Sequence, residues 1–429
     1  MVVDESLSFE ALDRRREFGF AQFFDSKSAR LHPFVLNPLA ASLISQALVL
    51  IVSCRTSGIL CPGYFISVFE SFGESMIDLL NMTRAGLADY CLSQAHPAVH
   101  ANQLFRHTYK RMSDSPWQGG FIPLRLAETM MQSFEIKLPV ISEQHKSAYD
   151  QSVKFLLSLT DGGKVESVLM PEKKRLTLCI SSQVGCAQGC VFCHTGRMGL
   201  LRNLSAGEIV SQVYLANAWI AEHPEWLETV QLPAKSRVSN IVFMGMGEPL
   251  DNVDGVVSAI KILTDPFGFA LGLAHISVST AGHLDGINAI FEQLPSVRLA
   301  LSVHSVDDVK RSKIMPINRR WPLKTVLDRL REQQRLGAKG ILLQYTMIRG
   351  VNDSEHDAHM LAETIAGLDA KINLIPLNEV SASRLTCPDA VTIQSFRDVL
   401  HQKGIRVMVR YSKGQDIAAA CGQLVVKAQ

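Results

Sequence analysis

Hydrophobic and polar positions alternate in a recurring order over the C-terminal part of the chain. From Leu176 onward, short apolar runs of strand length are followed by longer stretches with apolar residues at helical spacing. This order is typical of a parallel sheet with helices outside it. The predicted strands are 176–182, 241–245, 276–280, 299–304, 341–347 and 371–376. The predicted helices are 206–221, 253–263, 284–291, 323–336, 355–368 and 393–403.

Six strand–helix units of this kind predict an α/β fold in which the sheet curves into a partial (β/α)6 barrel. In such folds the functional side chains lie at the carboxyl ends of the strands. The residues that directly follow each predicted strand are therefore candidates for chemistry. We assign this core to residues 172–429.

Two further patterns precede the core. Residues 84–137 place apolar residues on helical faces, with basic and aromatic residues interleaved. That pattern is typical of a small helical domain with a solvated basic face and equally of an RNA-contacting accessory domain. Two alternating runs flank the turn Asp161-Gly162-Gly163-Lys164, which predicts a β-hairpin. We expect a helical, RNA-contacting accessory domain at 76–150 and a hairpin linker at 151–171.

Residues 1–75 carry a different pattern, and we set them apart as an extension. Residues 33–54 have no charged side chain and are long enough to span a bilayer. Several prolines and polar residues interrupt them, so we expect no stable membrane association. Met76 opens a helical pattern, and the alternative is that 1–75 result from a mis-assigned start. An intact-mass measurement that finds residues before Met76 in the protein made from its own gene would exclude that alternative.

Composition restricts the class of protein and its compartment. Hydrophobic residues make up 47% of the 429 residues, which is enough for a large core. The formal net charge is only +2, so binding to nucleic acid would require a local basic patch. Nine cysteines in a chain of this length are not typical of a disulfide framework. Since no secretory signal pattern is visible either, we expect a cytoplasmic protein whose thiols serve metals or chemistry.

Three cysteines directly follow the first predicted strand of the core. Cys186, Cys190 and Cys193 are separated by three and two residues. Three thiolates at this spacing can hold three irons of a four-iron cluster and leave the fourth iron open to a small molecule. The alternative is a zinc site completed by Cys179 or His194. Spacing alone leaves both kinds of metal centre open.

Small or polar residues mark the ends of other predicted strands. Gly245-Met246-Gly247-Glu248-Pro249 follows the second strand, where the glycines would admit a ligand and Glu248 suits an ammonium group. Each such motif alone is also typical of a turn or of a structural histidine. Their common position at one edge of the sheet favours a binding site for ribose or carboxylate groups. The residues at the other strand ends are Ser279, Thr280, Ser302, His304 and Asn378.

Two cysteines outside the three-cysteine motif are candidates for covalent chemistry. Cys421 lies among small residues near the C-terminus, so its sulfur is open to close approach. Cys179 lies on the first predicted strand of the core. For each, the alternative is a buried structural cysteine.

Several motifs, in this order, closely resemble the radical S-adenosylmethionine RNA adenine methyltransferases, the RlmN/Cfr family. The resemblance covers residues 84–424 or nearly so, and excludes the extension before Met76. The motifs that carry it are Leu178–Cys186, the three-cysteine motif, Arg202-Asn203-Leu204, Phe243–Pro249, Met315-Pro316-Ile317-Asn318, Asn373–Pro376 and Ala420–Leu424.

The resemblance implies a cofactor set and the residues that bind it. Cys186, Cys190 and Cys193 would hold a [4Fe-4S] cluster, whose open iron would chelate S-adenosylmethionine. Two S-adenosylmethionine molecules would be used per turnover. The residues that match positions in contact with S-adenosylmethionine are Gly247, Glu248, Ser279, Ser302, Val303, His304 and Asn378.

The resemblance also implies three catalytic residues for methylation of adenine carbon 2 or 8, neither of which is nucleophilic. Cys421 would be methylated first, and hydrogen abstraction from that methyl group would give a carbon radical that adds to the base. Glu166 would be the proton acceptor. Cys179 would attack the Cys421 sulfur, release the product and leave a transient disulfide for a reductant. This scheme requires both cysteines within reach of one base and a site that favours thiolates.

Partners follow from the same resemblance. Family members act on 23S ribosomal RNA and some also on transfer RNA, so we expect these substrates, a flavodoxin-type electron donor and a monomeric enzyme. Residues 193–200 look like the carbon-8 branch and 247–250 like the carbon-2 branch, and we favour carbon 2. Basic stretches at 310–313 and 319–320 are candidates for phosphate contacts. The alternatives are a radical S-adenosylmethionine enzyme with another substrate and a zinc-structured, non-catalytic RNA-binding protein.

Overall fold

The computed structural model of the protein describes residues 20–22, 33–35, 76–379 and 383–426. The chain divides into two compact units, Met1–Ser75 and Met76–Gln429. In the first unit, strand β1 (Phe20–Gln22) pairs antiparallel with β2 (Pro33–Val35), and most of the uncharged stretch 33–54 lies outside the described residues. No helix within the described part of the chain is long and apolar enough to cross a membrane.

The second unit is built on one ten-stranded sheet, with strands numbered here in chain order. Its parallel strands, in spatial order, are β8 (Arg175–Ile180), β11 (Val238–Phe243), β12 (Ile276–Thr280), β13 (Arg298–Ser302), β14 (Ile341–Met347), β15 (Ala370–Pro376) and β16 (Val407–Val409). Three strands continue the sheet beyond β8 in antiparallel pairing: β7 (Lys164–Glu172), β6 (Val153–Ser158) and β5 (Val140–Lys146). Strands β5 and β16 are the two edges, so the barrel is open.

Helices connect the parallel strands and pack apolar residues against the sheet. In the helix over Leu323–Arg335, for example, Leu323, Val326, Leu327 and Leu330 are buried at the spacing of one helical face. The helices of the core are α4 (His194–Met198), α5 (Ala206–Glu222), α6 (Pro224–Thr229), α7 (Val253–Thr264), α8 (Leu284–Gln293), α9 (Asp308–Ile314), α10 (Leu323–Arg335), α11 (Glu355–Thr364) and α12 (Ala390–Gln402). The predicted α/β fold with a partial barrel is therefore confirmed.

The hairpin strands continue the barrel wall toward the N-terminal side. Ser158 pairs with Lys164 at the turn, and Leu156 pairs with Glu166. On the other side of β7, Val168 pairs with Cys179. The hairpin thus brings Glu166 alongside the strand that carries Cys179.

In the described part of the chain, the hairpin is preceded by α1 (Arg84–Ser93), α2 (His100–Phe105), which a π-helical turn over Arg106–Lys110 continues, and α3 (Leu124–Ser133). Arg84 forms an ion pair with Asp265 at 2.7 Å, which joins α1 to the loop after α7. The helical pattern predicted from Met76 is wrong, because Ile77–Asp78 is a short strand, β3, paired with β4 (Phe134–Glu135). Asp78 Oδ1 accepts the N–H groups of Leu80 and Lys137, which holds this pairing in place.

The helical pattern also ends earlier than residue 150. Strand β5 occupies Val140–Lys146 and belongs to the main sheet. Its side chains are mostly exposed because it is an edge strand, so it lacks the apolar alternation that identifies a half-buried strand. Strand β16, of three residues, is too short to be read from the sequence pattern.

Candidate active site

The carboxyl ends of β8 and β11 pack closely at one rim of the sheet. Gly247 has a φ of +99°, and a Cβ atom on it would lie 2.6 Å from Gln183 Cβ. A Cβ atom on Gly245 would lie 2.7 Å from the carbonyl oxygen of Ile180. Only glycine fits at either position. The two glycines are therefore required by the contact between the loops themselves, whatever ligand the rim binds.

Glu248 is a buried carboxyl that joins two strand ends. Its Oε2 accepts the N–H of Ala281 at 2.8 Å, and its Oε1 accepts the N–H of Leu250 at 3.1 Å. Burial raises the pKa of this carboxyl to about 7. An ammonium group beside it would favour the charged form and lower that pKa.

Gln344 of β14 links three neighbouring strands inside the barrel. Its Oε1 accepts the hydroxyls of Ser279 at 3.0 Å and Ser302 at 3.5 Å, and its Nε2 contacts Met244 Sδ at 3.5 Å. The two serines were predicted as site residues, but Gln344 was not. It is a lone amide in the apolar strand Ile341–Met347, and that interruption is the signal that could have identified it.

His304 and Val303 hold the end of β13 against β14. His304 is in the left-handed region, with φ +54°, and its Nδ1 accepts the N–H of Thr346 at 2.9 Å. Burial lowers the pKa of His304 to about 3, so the ring is neutral. Val303 N–H donates to the carbonyl of Gln344 at 2.9 Å. Phe192, from the cysteine loop, packs edge-on against the imidazole with ring centroids 4.8 Å apart.

One of the basic residues considered for phosphate contacts is buried instead. Arg311 of α9 donates from its NH2 group to the carbonyls of Ala281 at 2.8 Å and Ser302 at 2.9 Å. Its Nε donates to Val303 O at 3.0 Å, and its NH1 to Asn318 Oδ1 at 2.7 Å. The expectation of a phosphate contact is therefore wrong for Arg311, which ties the ends of β12 and β13 to α9. Burial lowers the pKa of this guanidinium to about 10.

The three-cysteine motif lies beside these strand ends. Cys186 ends β9 (Gln183–Cys186), which pairs with β10 (Gly199–Asn203), and Cys190 and Cys193 lie in the loop before α4. All three are free thiols. Burial raises the pKa of Cys186 to about 12. The pKa of Cys190 is raised by burial and further by the neighbouring thiols of Cys193 and Cys186, so the three sulfurs lie within electrostatic reach of one another.

The two metal centres considered for this motif require different arrangements of the thiols. Among the described residues, no three His, Cys, Asp or Glu side chains converge closely enough to hold one metal ion. A zinc ion requires each thiolate sulfur at about 2.3 Å from a single point. In a four-iron cluster each thiolate binds a different iron, so the sulfurs lie farther apart. In either kind of centre, the bound metal would deprotonate the thiols despite their raised pKa values.

Cys179 and Cys421 line the same pocket inside the barrel, together with Val168, Met244, Arg410 and Lys413. Cys421 is exposed, whereas Cys179 is buried. Burial, reinforced by the nearby Cys421, raises the pKa of Cys179 to about 12, and Arg410 opposes this only weakly. The expectation of a site that favours the thiolate is therefore wrong for Cys179 in the protein without cofactors or RNA.

Hydrogen bonds join the segment that carries Cys421 to residues directly after the three-cysteine motif. His194 N–H donates to Gly422 O at 2.8 Å, and Thr195 Oγ1 donates to Leu424 O at 2.7 Å. Asn378 Nδ2 donates to the carbonyl of Cys421 at 3.1 Å. Asn378 was predicted to bind a cofactor, but its amide group here holds the cysteine segment.

Glu166 faces the same C-terminal segment from β7. Its Oε2 accepts the N–H of Val425 at 2.8 Å, and its Oε1 lies 2.9 Å from Lys154 Nζ. Burial raises the pKa of Glu166, and Lys154 opposes that shift. Lys154 was not predicted as a site residue, although a lysine within the apolar run of β6 was a visible signal.

The residues at the rim fit S-adenosylmethionine beside a cluster. Ser182 Oγ, between β8 and β9, is buried and has no hydrogen-bond partner among the described residues. A polar ligand group would satisfy that hydroxyl, and the Glu248 carboxyl suits an ammonium group. The predicted residues thus form two adjoining groups, one around the three-cysteine loop and one around the Cys179–Cys421 pocket. They meet where Cys421 raises the pKa of Cys193 as a neighbouring thiol.

Comparisons with known proteins give a consistent result. The Radical SAM superfamily matches residues 180–362. The chain is 42% identical over 311 residues to a probable dual-specificity RNA methyltransferase RlmN of Akkermansia muciniphila, which covers 71% of this chain and 82% of that protein. It is 44% identical over 296 residues to the dual-specificity RNA methyltransferase RlmN of Paracoccus denitrificans, covering 69% and 75% of the two chains.

A solved structure is also similar. The crystal structure of a radical SAM methyltransferase from Sphaerobacter thermophilus superimposes with a TM-score of 0.74 at 35% sequence identity. The superposition covers 81% of this chain and 99% of that one.

Proposed function

Because the chain belongs to the RlmN family of radical S-adenosylmethionine RNA methyltransferases, we propose that it methylates carbon 2 of an adenosine in 23S ribosomal RNA and in transfer RNA. Family membership confirms the predicted recognition and enzyme class, and it removes the alternative of a non-catalytic, zinc-structured protein. The finer proposal is supported chiefly by one observation. Cys421 and Cys179 line one pocket, and Cys421 lies close enough to Cys193 of the cluster motif to raise the pKa of its thiol.

The rim residues would bind the cofactors. Cys186, Cys190 and Cys193 would hold the [4Fe-4S] cluster, and Glu248 with Ser182 would take polar groups of S-adenosylmethionine. These bound groups would supply the methyl group and the radical that takes hydrogen from it. The residues inherited from the resemblance as cofactor contacts remain part of the proposal: Gly247, Glu248, Ser279, Ser302, Val303, His304 and Asn378.

Cys421 would be the methyl carrier, because its thiol is exposed while its backbone is held beside the cluster loop. Cys179, which lines the same pocket, would be the resolving thiol. Since burial raises the pKa of Cys179 to about 12, its attack on the Cys421 sulfur requires a positive neighbour or a base. Arg410 lines the same pocket and would supply part of that positive charge. A flavodoxin-type reductant in the cytoplasm would then reduce the Cys179–Cys421 disulfide.

Glu166 would accept the ring proton of the adenosine. Burial gives its carboxylate a higher proton affinity than an exposed one, which suits a general base working near neutral pH. The target base must leave its stack to enter the pocket, so an unpaired or loop adenosine is expected. Arg410 and Lys413 line the pocket and offer positive charge to the flanking phosphates.

The test is anaerobic reconstitution followed by mass spectrometry of nucleosides after incubation with ribosomal or transfer RNA. We expect methyladenosine from the wild-type enzyme and none from Cys421→Ala, with iron content and reductive cleavage of S-adenosylmethionine retained. Cys387→Ala is the matched control, since Cys387 is free and outside the pocket. Methylation by Cys421→Ala at the wild-type rate would refute the assignment of the methyl carrier.

A further inference from the structure

Lys154 is a buried lysine that none of the roles above uses. It lies in the middle of the hairpin strand β6 and is only 9% exposed. Its Nζ lies 2.9 Å from Glu166 Oε1 and 3.3 Å from the carbonyl oxygen of Ala418. The neighbouring residues of the strand, Val153 and Phe155, are almost fully buried apolar side chains.

An ion pair at such a position is costly for the fold. Removing two charges from water is unfavourable, and replacement of a buried ion pair by apolar residues of similar volume is often neutral or stabilising. The lysine is therefore better explained by what it does to Glu166 than by stability. Its second contact, with the carbonyl of Ala418, also links the lysine to the segment that carries Cys421.

Three groups act on the Glu166 carboxyl, and a fourth holds the Glu166 backbone. Lys154 reaches Oε1 from β6, and Val425 N–H reaches Oε2 from the C-terminal segment. His145 of the edge strand β5 contributes a weaker electrostatic effect. Ser181 Oγ donates to the backbone carbonyl of Glu166 at 2.6 Å and so fixes its main chain. Among the described residues, Lys154 is thus the one strong cation in contact with the carboxyl. The segment that holds the methyl carrier orients Oε2 through the Val425 N–H.

We infer that Lys154 is the positioning residue of the proton acceptor: it keeps Glu166 ionised and fixes it against the Cys421 segment. This inference rests on the proposed role of Glu166. In the step concerned, the ring C–H bond of the adenosine adduct breaks, its electron pair stays on the ring and its proton goes to the Glu166 carboxylate. No electron is transferred in that step. A protonated Glu166 could not perform it.

The effect of burial on Glu166 supports this role. Burial raises the pKa of the carboxyl, and Lys154 provides the largest opposing effect. Without the lysine the pKa would rise further, so the carboxylate would form only at higher pH. Proton transfer from the adduct should then recover as the pH is raised.

The experiment uses the full-length, reconstituted enzyme and the variant Lys154→Met, which keeps most of the length of the side chain without its charge. Three quantities are measured from pH 6 to 9: S-methylcysteine at position 421 by peptide mass spectrometry, covalent protein–RNA adduct on denaturing gels, and methylated nucleoside. Arg175→Met is the matched control, since Arg175 pairs with Glu172 at 2.6 Å on the surface of the same sheet. His145→Gln separates the contribution of the second nearby cation to the pH profile.

We expect Lys154→Met to form S-methylcysteine normally, to accumulate adduct, and to lose roughly 10²-fold in product formation at pH 7, with recovery at higher pH. Lys154→Arg should restore part of the activity. A loss of S-methylcysteine in Lys154→Met, or a pH-independent loss of product, would mean that the lysine only holds the fold, and would overturn the inference. Wild-type product formation would overturn it as well.

A second variant separates this inference from the proposed function. Glu166→Gln should accumulate the adduct at every pH, because the amide cannot accept the proton. If Glu166→Gln makes product normally, the role proposed for Glu166 fails. If it accumulates adduct while Lys154→Met does not, only the inference about Lys154 fails. Infrared titration of the Glu166 carboxyl in cluster-free protein, with Glu166→Gln as the blank, tests the change in ionisation without turnover.

Discussion

The contact between Gly247 and Gln183 can be tested by one added methyl group. The variant Gly247→Ala must adopt a φ of +99° and place its Cβ atom 2.6 Å from Gln183 Cβ. The unfavourable backbone conformation costs about 1–2 kcal/mol for a residue with a Cβ atom. Displacing Gln183 costs about 1–3 kcal/mol more, the usual range for overpacking. The expected loss of folding free energy is therefore about 2–5 kcal/mol.

Gln183 cannot move without further loss. Its Oε1 accepts the N–H of Glu248 at 2.8 Å, and its Nε2 donates to Asn203 Oδ1 at 2.8 Å. Both hydrogen bonds hold the loop that presents Glu248 at the rim. Gly247→Ala should therefore weaken binding of S-adenosylmethionine as well as destabilise the protein.

Gly337→Ala is the matched control, because Gly337 has a φ of +104° and no atom within 4 Å of the added Cβ position. It should show only the backbone cost of about 1–2 kcal/mol. The assay is urea-induced unfolding of the full-length protein followed by circular dichroism, with the midpoints compared at equal slope. Equal losses in the two variants would refute the claim that the approach of Gly247 to Gln183 excludes a side chain.

Three further results are expected from the buried charges and thiols. Arg311→Met should destabilise the protein by roughly 3–5 kcal/mol in the same urea assay, because it leaves buried carbonyls unpaired. The control Arg320→Met, at an exposed position, should change stability by less than about 0.5 kcal/mol. Similar small losses in both variants would contradict the burial of Arg311. The neutral form of Glu248 stabilises the cluster-free protein, since its folded-state pKa of about 7 lies above the ordinary 4.5. That contribution is complete below about pH 4.5 and is lost as the pH rises through about 7. Over this range the wild type should lose about 3 kcal/mol of folding free energy relative to Glu248→Gln. Parallel pH profiles of stability for the two proteins would contradict this prediction. In cluster-free protein, a neutral maleimide should modify Cys421 at least about 10²-fold faster than Cys179, because Cys179 is buried and its pKa is raised. Peptide mapping measures the two rates. Equal rates would show that the pocket does not shield Cys179.

The local spacing of apolar residues was sufficient to predict the strands and helices of the core. The six strands and six helices read from the apolar spacing are all present with small shifts at their ends, since amphipathic spacing is a property of a single element. The direction of parallel strands then placed the end of each strand at one rim, so that residues such as Glu248 and His304 could be predicted as neighbours. The exposed edge strand β5 lacks apolar alternation, so the sequence pattern does not reveal it.

Pairs that are distant along the chain could not be read from a single sequence. Glu166 meets Val425 across 259 residues, and Lys154 meets Ala418 across 264. Arg311 lies in a basic stretch that suggested a surface, and its burial follows only from the convergence of β12, β13 and α9. In each case a polar residue finds its partner through tertiary packing, and no local pattern reports that partner.

The sequence by itself determined the order of strands and helices, the three-cysteine motif, and the membership in a family that methylates RNA. These depend on spacing along the chain and on motifs that are complete within a few residues. Only the tertiary structure decided what each polar residue contacts, and therefore its charge: a neutral His304, a Glu248 that titrates near pH 7, and a Cys179 whose thiol resists ionisation. The physical reason is that a pKa depends on burial and on neighbouring charges, and both arise when distant segments pack together.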